Sequence, residues 1–118
     1  MMDLLSVFLQ TSVTASGNAV FYISYSVSGA GTGAANGTYY AMMSPDVKDQ
    51  WGNPVYMNAN GNAYLFGSEH TGGDYTFKIS STRQTGGTDY YSWTGTAPQN
   101  VSNQTVLSGG SAPFPTIQ

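Results

Sequence analysis

Hydrophobic residues recur at every second position over much of this chain. Between 74 and 81, Tyr75, Phe77 and Ile79 alternate with Asp74, Thr76, Lys78 and Ser80, which is the period of a half-buried β-strand. Segment 19–28 places Phe21, Ile23, Tyr25 and Val27 on one face and Ser24, Ser26 and Ser28 on the other. Segment 3–13 places Leu5, Val7, Leu9, Thr11 and Val13 on one face, and Phe8 intrudes among Ser6, Gln10 and Ser12 on the other. Phe8 there either meets a second buried layer or anchors an interface. Further strands are predicted at 38–43, 55–57, 63–66 and 88–95, with Tyr91 and Trp93 sharing a face, and a weaker one at 101–107.

The punctuation between these segments is that of an all-β domain. Ala15-Ser16-Gly17-Asn18 is a turn cluster, which makes the first two strands a hairpin. Asn60-Gly61 is predicted to form a two-residue type I′ turn. Gly61→Val should then harm folding more than Gly31→Val, because Gly31 falls in a glycine-rich stretch, 29–37, that reads as a flexible surface connection. Segments 68–73 and 82–87 read as loops. Ser44-Pro45-Asp46 is a helix-start signal and Gly52 a stop, so at most one helical turn is expected near 44–51. The expected architecture is a single antiparallel β-sandwich of about eight short strands, Ig-like or jelly-roll, over residues 1–108.

Residues 109–118 hold Gly109, Gly110, Pro113 and Pro115 and are expected to form an extended C-terminal arm that cannot be a central strand. Phe114 and Ile117 are its apolar anchors. The arm is expected to run over another subunit or a partner, with Phe114 in a pocket there; the alternative is packing along its own domain.

Composition narrows the function. The chain has 118 residues, enough for one core. Only 8% are charged, against about 25% in an ordinary soluble domain. The net charge is -3, and the three cations Lys48, Lys78 and Arg83 form no cluster, which argues against nucleic-acid binding. Without cysteine there is neither a disulfide framework nor a thiolate metal site. The first thirteen residues lack a basic n-region, carry Asp3 and are interrupted by Ser6 and Gln10, unlike a signal peptide. No apolar run approaches a membrane span. Cytoplasmic synthesis without export, followed by release in a virion, is the expected location, with an extracellular surface as the alternative.

Candidate chemistry is sparse. His70 is the sole histidine, and its neighbour Glu69 would point to the opposite face of a strand. The carboxylates Asp3, Asp46, Asp49, Glu69, Asp74 and Asp89 show no preferred pairing. Asp46, Asp49 and Asn53 offer hard oxygens around a turn, so calcium is conceivable, although a cap with surface charge explains them too. The glycine stretch lacks the Lys-Ser/Thr of a phosphate loop. Sequons at Asn36, Asn100 and Asn103 are what a Ser/Thr-rich chain produces by chance. No catalytic residue, metal ligand or cofactor is assigned, and no enzyme is expected.

Tyrosine is more informative. Tyr39-Tyr40 and Tyr90-Tyr91 are adjacent pairs, so within strands one member of each faces away from the other. Exposed tyrosine suits subunit interfaces and sugar platforms alike. Phe8, Tyr39, Tyr40, Tyr90, Tyr91, Phe114 and Ile117 are therefore the candidate interface residues.

The segment Val47-Lys48-Asp49-Gln50-Trp51-Gly52-Asn53-Pro54-Val55 resembles the V-x-D-x-x-G-N-P-V segment of bacterial immunoglobulin-like adhesin repeats, where it lies near the start of a domain rather than in the middle. In overall style the chain is similar to small all-β surface proteins of tailed phages, such as capsid decoration or head-fibre proteins. That similarity implies a structural virion protein that oligomerises and binds a protein lattice. The alternative is a carbohydrate-binding or adhesive module stacking surface glycans on Tyr39, Tyr40, Tyr90, Tyr91, Trp51 and Trp93.

Overall fold

Among the described residues, segments whose side chains alternate in polarity become strands. The computed structural model describes residues 12–14, 20–43, 46–83 and 86–118; Phe8, with the rest of segment 3–11 and the turn at 15–18, lies outside them. The strands are β1 (Ser12–Thr14), β2 (Val20–Tyr22), β3 (Ser24–Ser28), β4 (Gly37–Ala41), β5 (Tyr56–Asn58), β6 (Tyr64–Thr71), β7 (Asp74–Ser80), β8 (Asp89–Gly95), β9 (Ser102–Val106) and β10 (Thr116–Ile117). β1 and β2 pair antiparallel, with Val13 opposite Phe21. The other eight form one antiparallel sheet in the order β10-β3-β4-β5-β6-β7-β8-β9. From β3 to β9 each strand lies beside the next in sequence, and the chain end then returns to pair with β3.

The sheet is curled and sandwich-like, and its aromatic rings show how. Phe114, just before β10, lies 5.6 Å from the Tyr91 ring and 5.8 Å from that of Trp93, both edge-on. Phe21 of β2 meets Tyr75 and Phe77 of β7 in the same manner. Strands at opposite ends of the order therefore face each other across one core. Tyr75, Phe77, Ile79, Tyr91 and Trp93 all point into it, as their alternation predicts.

The core is rich in tyrosine, and a buried hydroxyl needs a partner. Tyr39 donates to the Ala35 carbonyl at 2.6 Å. Tyr25 donates to Gln99 Oε1 at 2.6 Å and accepts from the Tyr22 N–H. Tyr56 donates to the Tyr22 carbonyl. Trp93 Nε1 donates to the Pro98 carbonyl at 3.0 Å. The Tyr25–Gln99 and Tyr56–Tyr22 bonds join segments distant in sequence, and the Tyr39 and Trp93 bonds secure the turns beside their own strands, so these side chains hold the curl as well as filling it.

Several sequence expectations change. The tail packs along its own domain: Ser26 and Gln118 exchange backbone bonds of 2.8 and 3.0 Å, and Ile117 is buried. The Tyr91 hydroxyl donates to the Ser111 carbonyl at 2.6 Å and accepts from the Thr32 N–H at 2.9 Å. The reason is local supply. The free edge of β3 and the Tyr91–Trp93 pocket lie within reach of the tail's own domain.

The 29–37 stretch is likewise pinned, by paired bonds between Asn36 and the Ala30 backbone and by the burial of Ala35. It contains the one 3-10 turn among the described residues, Gly33–Ala35. Segment 46–54 folds back on itself instead, through bridges Met43–Asp46 and Lys48–Pro54.

The central hairpin has a four-residue loop, 59–62, rather than a two-residue one. Asn58 N–H reaches the Ala63 carbonyl, Gly61 N–H closes on Asn58, and Gly61 alone in that loop takes a positive φ, +75°. Segment 68–71 is strand, because Glu69 and His70 pair with Thr76 and Tyr75 of β7.

Candidate binding surface

The face of the sheet opposite the core carries the surface chemistry. Tyr39 points inward, so Tyr40 points out and is 54% exposed. Register sets Met57 opposite Tyr40, and Tyr64 opposite Met57. These three side chains form a row across β4, β5 and β6, about 10 Å long at ordinary strand spacing. Met57 and Tyr64 are half-buried. Directly opposed side chains of this kind touch, and none of the three carries a charge.

Beyond the row, Phe66 on the same face of β6 is covered by the loop joining β4 to β5. That loop contains the segment resembling the adhesin repeat. Asp49 organises it, with Oδ1 accepting from the Trp51 and Asn53 N–H groups, each at 2.9 Å. Two N–H groups on one carboxylate oxygen are the geometry of an Asx turn. Burial pushes the Asp49 carboxyl above the usual carboxylate range, and the Asn53 and Trp51 contacts only partly offset this. The remaining oxygen, Oδ2, lies buried where a Gly67 side chain would be and has no hydrogen-bond partner among the described residues. Asn53, wholly buried, also has side-chain amide atoms without a hydrogen-bond partner among the described residues.

Between this loop and β6 lies a cleft of about 550 Å³ with Val47, Val55 and Phe66 as its apolar part and Gln50 and Ser68 as neutral polar groups. Asp46, Lys48, Asp49 and Arg83 supply its charge. A second cleft, of about 400 Å³, adjoins it at Ser68 and is lined by Glu69, Thr76, Lys78, Asp89 and Ser92. Register makes this second cleft, with Glu69 opposite Thr76 and Lys78 opposite Ser92. Seven of the chain's nine charged residues, including all three cations, line the two clefts. Lys48 pairs with Asp46 at 2.8 Å and Lys78 with Asp89 at 3.1 Å.

The candidates drawn from sequence separate. Tyr40 is on the surface. Tyr39 and Tyr91, expected at an interface, are fully buried in the core, and so is Trp93. Tyr90 is half-buried against the core, and Phe114 and Ile117 are used within the domain. A stacking platform made from both tyrosine pairs is therefore not present. Trp51 is half-buried in an aromatic cluster, 5.9 Å from the His70 ring and 5.8 Å from that of Tyr75. His70 stacks on Tyr75 at 4.2 Å while Glu69 lines the cleft, so the two do not converge.

Met57, Tyr64 and Arg83 were not singled out by sequence; the register partners of Tyr40 would have identified the first two. Among the described residues no group of three or more His, Asp or Glu is disposed to hold a metal ion, and no helix is long and apolar enough to cross a membrane. No family model matches the chain, and neither a curated protein nor a solved structure matches it.

Proposed function

We propose that this is a structural surface protein of a virion, of the capsid-decoration kind, which associates with copies of itself and docks on a protein lattice without catalysis. The observation that carries the reading is the Tyr40–Met57–Tyr64 row, an uncharged strip on the outer face of a sheet with Tyr40 exposed and Met57 and Tyr64 half-buried. Aromatic residues and methionine are enriched at the cores of protein interfaces, where charge is depleted. Val20, Tyr22 and Met43 add exposed apolar surface. A chain with so little charge offers little repulsion between copies. Light scattering on the purified chain tests this. The expected result is an oligomer of defined size that Tyr40→Asp reduces to a monomer of unchanged thermal stability. A wild-type monomer at every concentration would overturn the reading.

A second reading, saccharide binding, is favoured by one specific observation: the gathering of charge into two adjoining clefts.

A further inference from the structure

The clefts have a chemistry that the Tyr40 row lacks. We infer that they form a binding site for a saccharide bearing a carboxylate, with Arg83 receiving the acid group; this rests on the saccharide reading above and not on self-association. Arg83 is exposed at the wall of the larger cleft. Among the described residues it is the one cation without a carboxylate partner, since Lys48 and Lys78 are both paired. A guanidinium presents a planar fork that matches a carboxylate with two parallel hydrogen bonds.

The surroundings favour a carboxylate over other anions. A phosphate group is held by several cations or by a nest of backbone N–H groups. Here the other cation of the larger cleft, Lys48, is already engaged by Asp46. A peptide added as a further strand would need a free sheet edge, and β6, β7 and β8 are all interior strands with both neighbours in place. What the clefts do offer is side-chain hydrogen bonding to hydroxyl groups, from Gln50 and Ser68 in the first and from Glu69, Thr76 and Ser92 in the second. Val47, Val55 and Phe66 add a small apolar surface for a ring face. About 550 Å³ lies within the range of small-ligand pockets, and the second cleft extends the site for a neighbouring sugar.

The test is calorimetry and amide NMR on the full chain with sialyllactose, trigalacturonate, lactose and inorganic phosphate as probes, each at millimolar concentration. One or both acidic saccharides should bind and shift the Ser68 and Arg83 amide resonances, while lactose and phosphate do not. Arg83→Gln should weaken that binding about tenfold or more, with thermal stability unchanged because Arg83 is exposed and has no carboxylate partner among the described residues. Tyr40→Ser should leave it intact. Saccharide binding that survives Arg83→Gln, or that lactose reproduces, would overturn the site and leave the saccharide reading standing. Equal binding of phosphate would make the cleft a plain anion site. No binding by either acid would overturn both readings of the clefts without touching self-association.

Discussion

Adding one methyl group to Gly31 should undo the attachment of the chain's end. A Cβ at that position would stand 2.0 Å from the Ala112 carbonyl oxygen and 2.6 Å from that of Ser111. Both are backbone atoms, so the tail itself must move. Three bonds hold it there: Gly31 N–H to the Pro113 carbonyl at 3.1 Å, Ser111 N–H to Thr32 Oγ1 at 2.8 Å, and the Tyr91 hydroxyl to the Ser111 carbonyl at 2.6 Å. Losing two of them costs about 2 kcal/mol, and partial exposure of Phe114 adds about 1 kcal/mol. Gly31→Ala should therefore destabilise by about 3 kcal/mol, near 12 °C in Tm at about 4 °C per kcal/mol. Gly61→Ala meets open space and has only its positive φ to contend with, a cost of about 1–2 kcal/mol. This reverses the ranking expected from sequence. Thermal unfolding followed by circular dichroism measures both variants, with Gly31→Ala repeated in a chain truncated after residue 110. In that background it should cost almost nothing. Equal Tm losses for the two single variants, or the same Gly31→Ala loss with and without the tail, would refute the reasoning.

Further outcomes follow from the core and the covering loop. Phe114→Ala should lower stability by about 2–3 kcal/mol in chemical denaturation and leave the solution mass unchanged, since its ring packs on Tyr91 and Trp93 of the same chain. Asp49 is raised by burial, so its contribution to stability is fully present below the ordinary carboxylate pKa and is lost as pH rises through the raised one. Asp49→Asn can still accept the Trp51 and Asn53 N–H bonds and should flatten Tm against pH on that interval. Asp49→Ala should lose about 1–3 kcal/mol at neutral pH. Burial holds the Tyr25 and Tyr56 hydroxyls far above the ordinary phenol range and pushes Tyr39 up to about 12. Unfolded tyrosine ionises near 10, so stability should fall as pH rises above that value. A set of tyrosines should then ionise only as near-ultraviolet circular dichroism is lost.

What could be read from the sequence was local. The two-residue period placed Tyr75, Phe77 and Ile79 inward on β7, and Tyr91 and Trp93 inward on β8. The glycines and prolines of 109–118 excluded a central strand, and β10 is indeed an edge. What could not be read depended on partners far away in the chain. Polar residues 68–71 resemble a loop until β7 pairs with them. Ser44-Pro45 signals a helix, but the Asp49 carboxylate offers the following N–H groups another acceptor. Nothing near Tyr39 or Tyr91 marks them as buried, because their hydroxyls are met by Ala35 and Ser111. The clefts were invisible for the same reason: Lys48, Glu69, Lys78, Arg83 and Asp89 are spread over 42 positions of sequence and come together only through sheet register and the covering loop.

Met57 sits at the centre of the Tyr40–Met57–Tyr64 row, so its methyl group reports on whether that face is an interface. The most direct measurement is the Met57 methyl resonance of methionine-labelled protein, recorded from dilute to concentrated solution with a soluble paramagnetic agent present. The account predicts that Met57 shifts and becomes protected from the agent as the oligomer forms, and that Tyr40→Asp abolishes both changes. An oligomer that forms while Met57 stays equally accessible throughout would place the interface elsewhere and contradict the account.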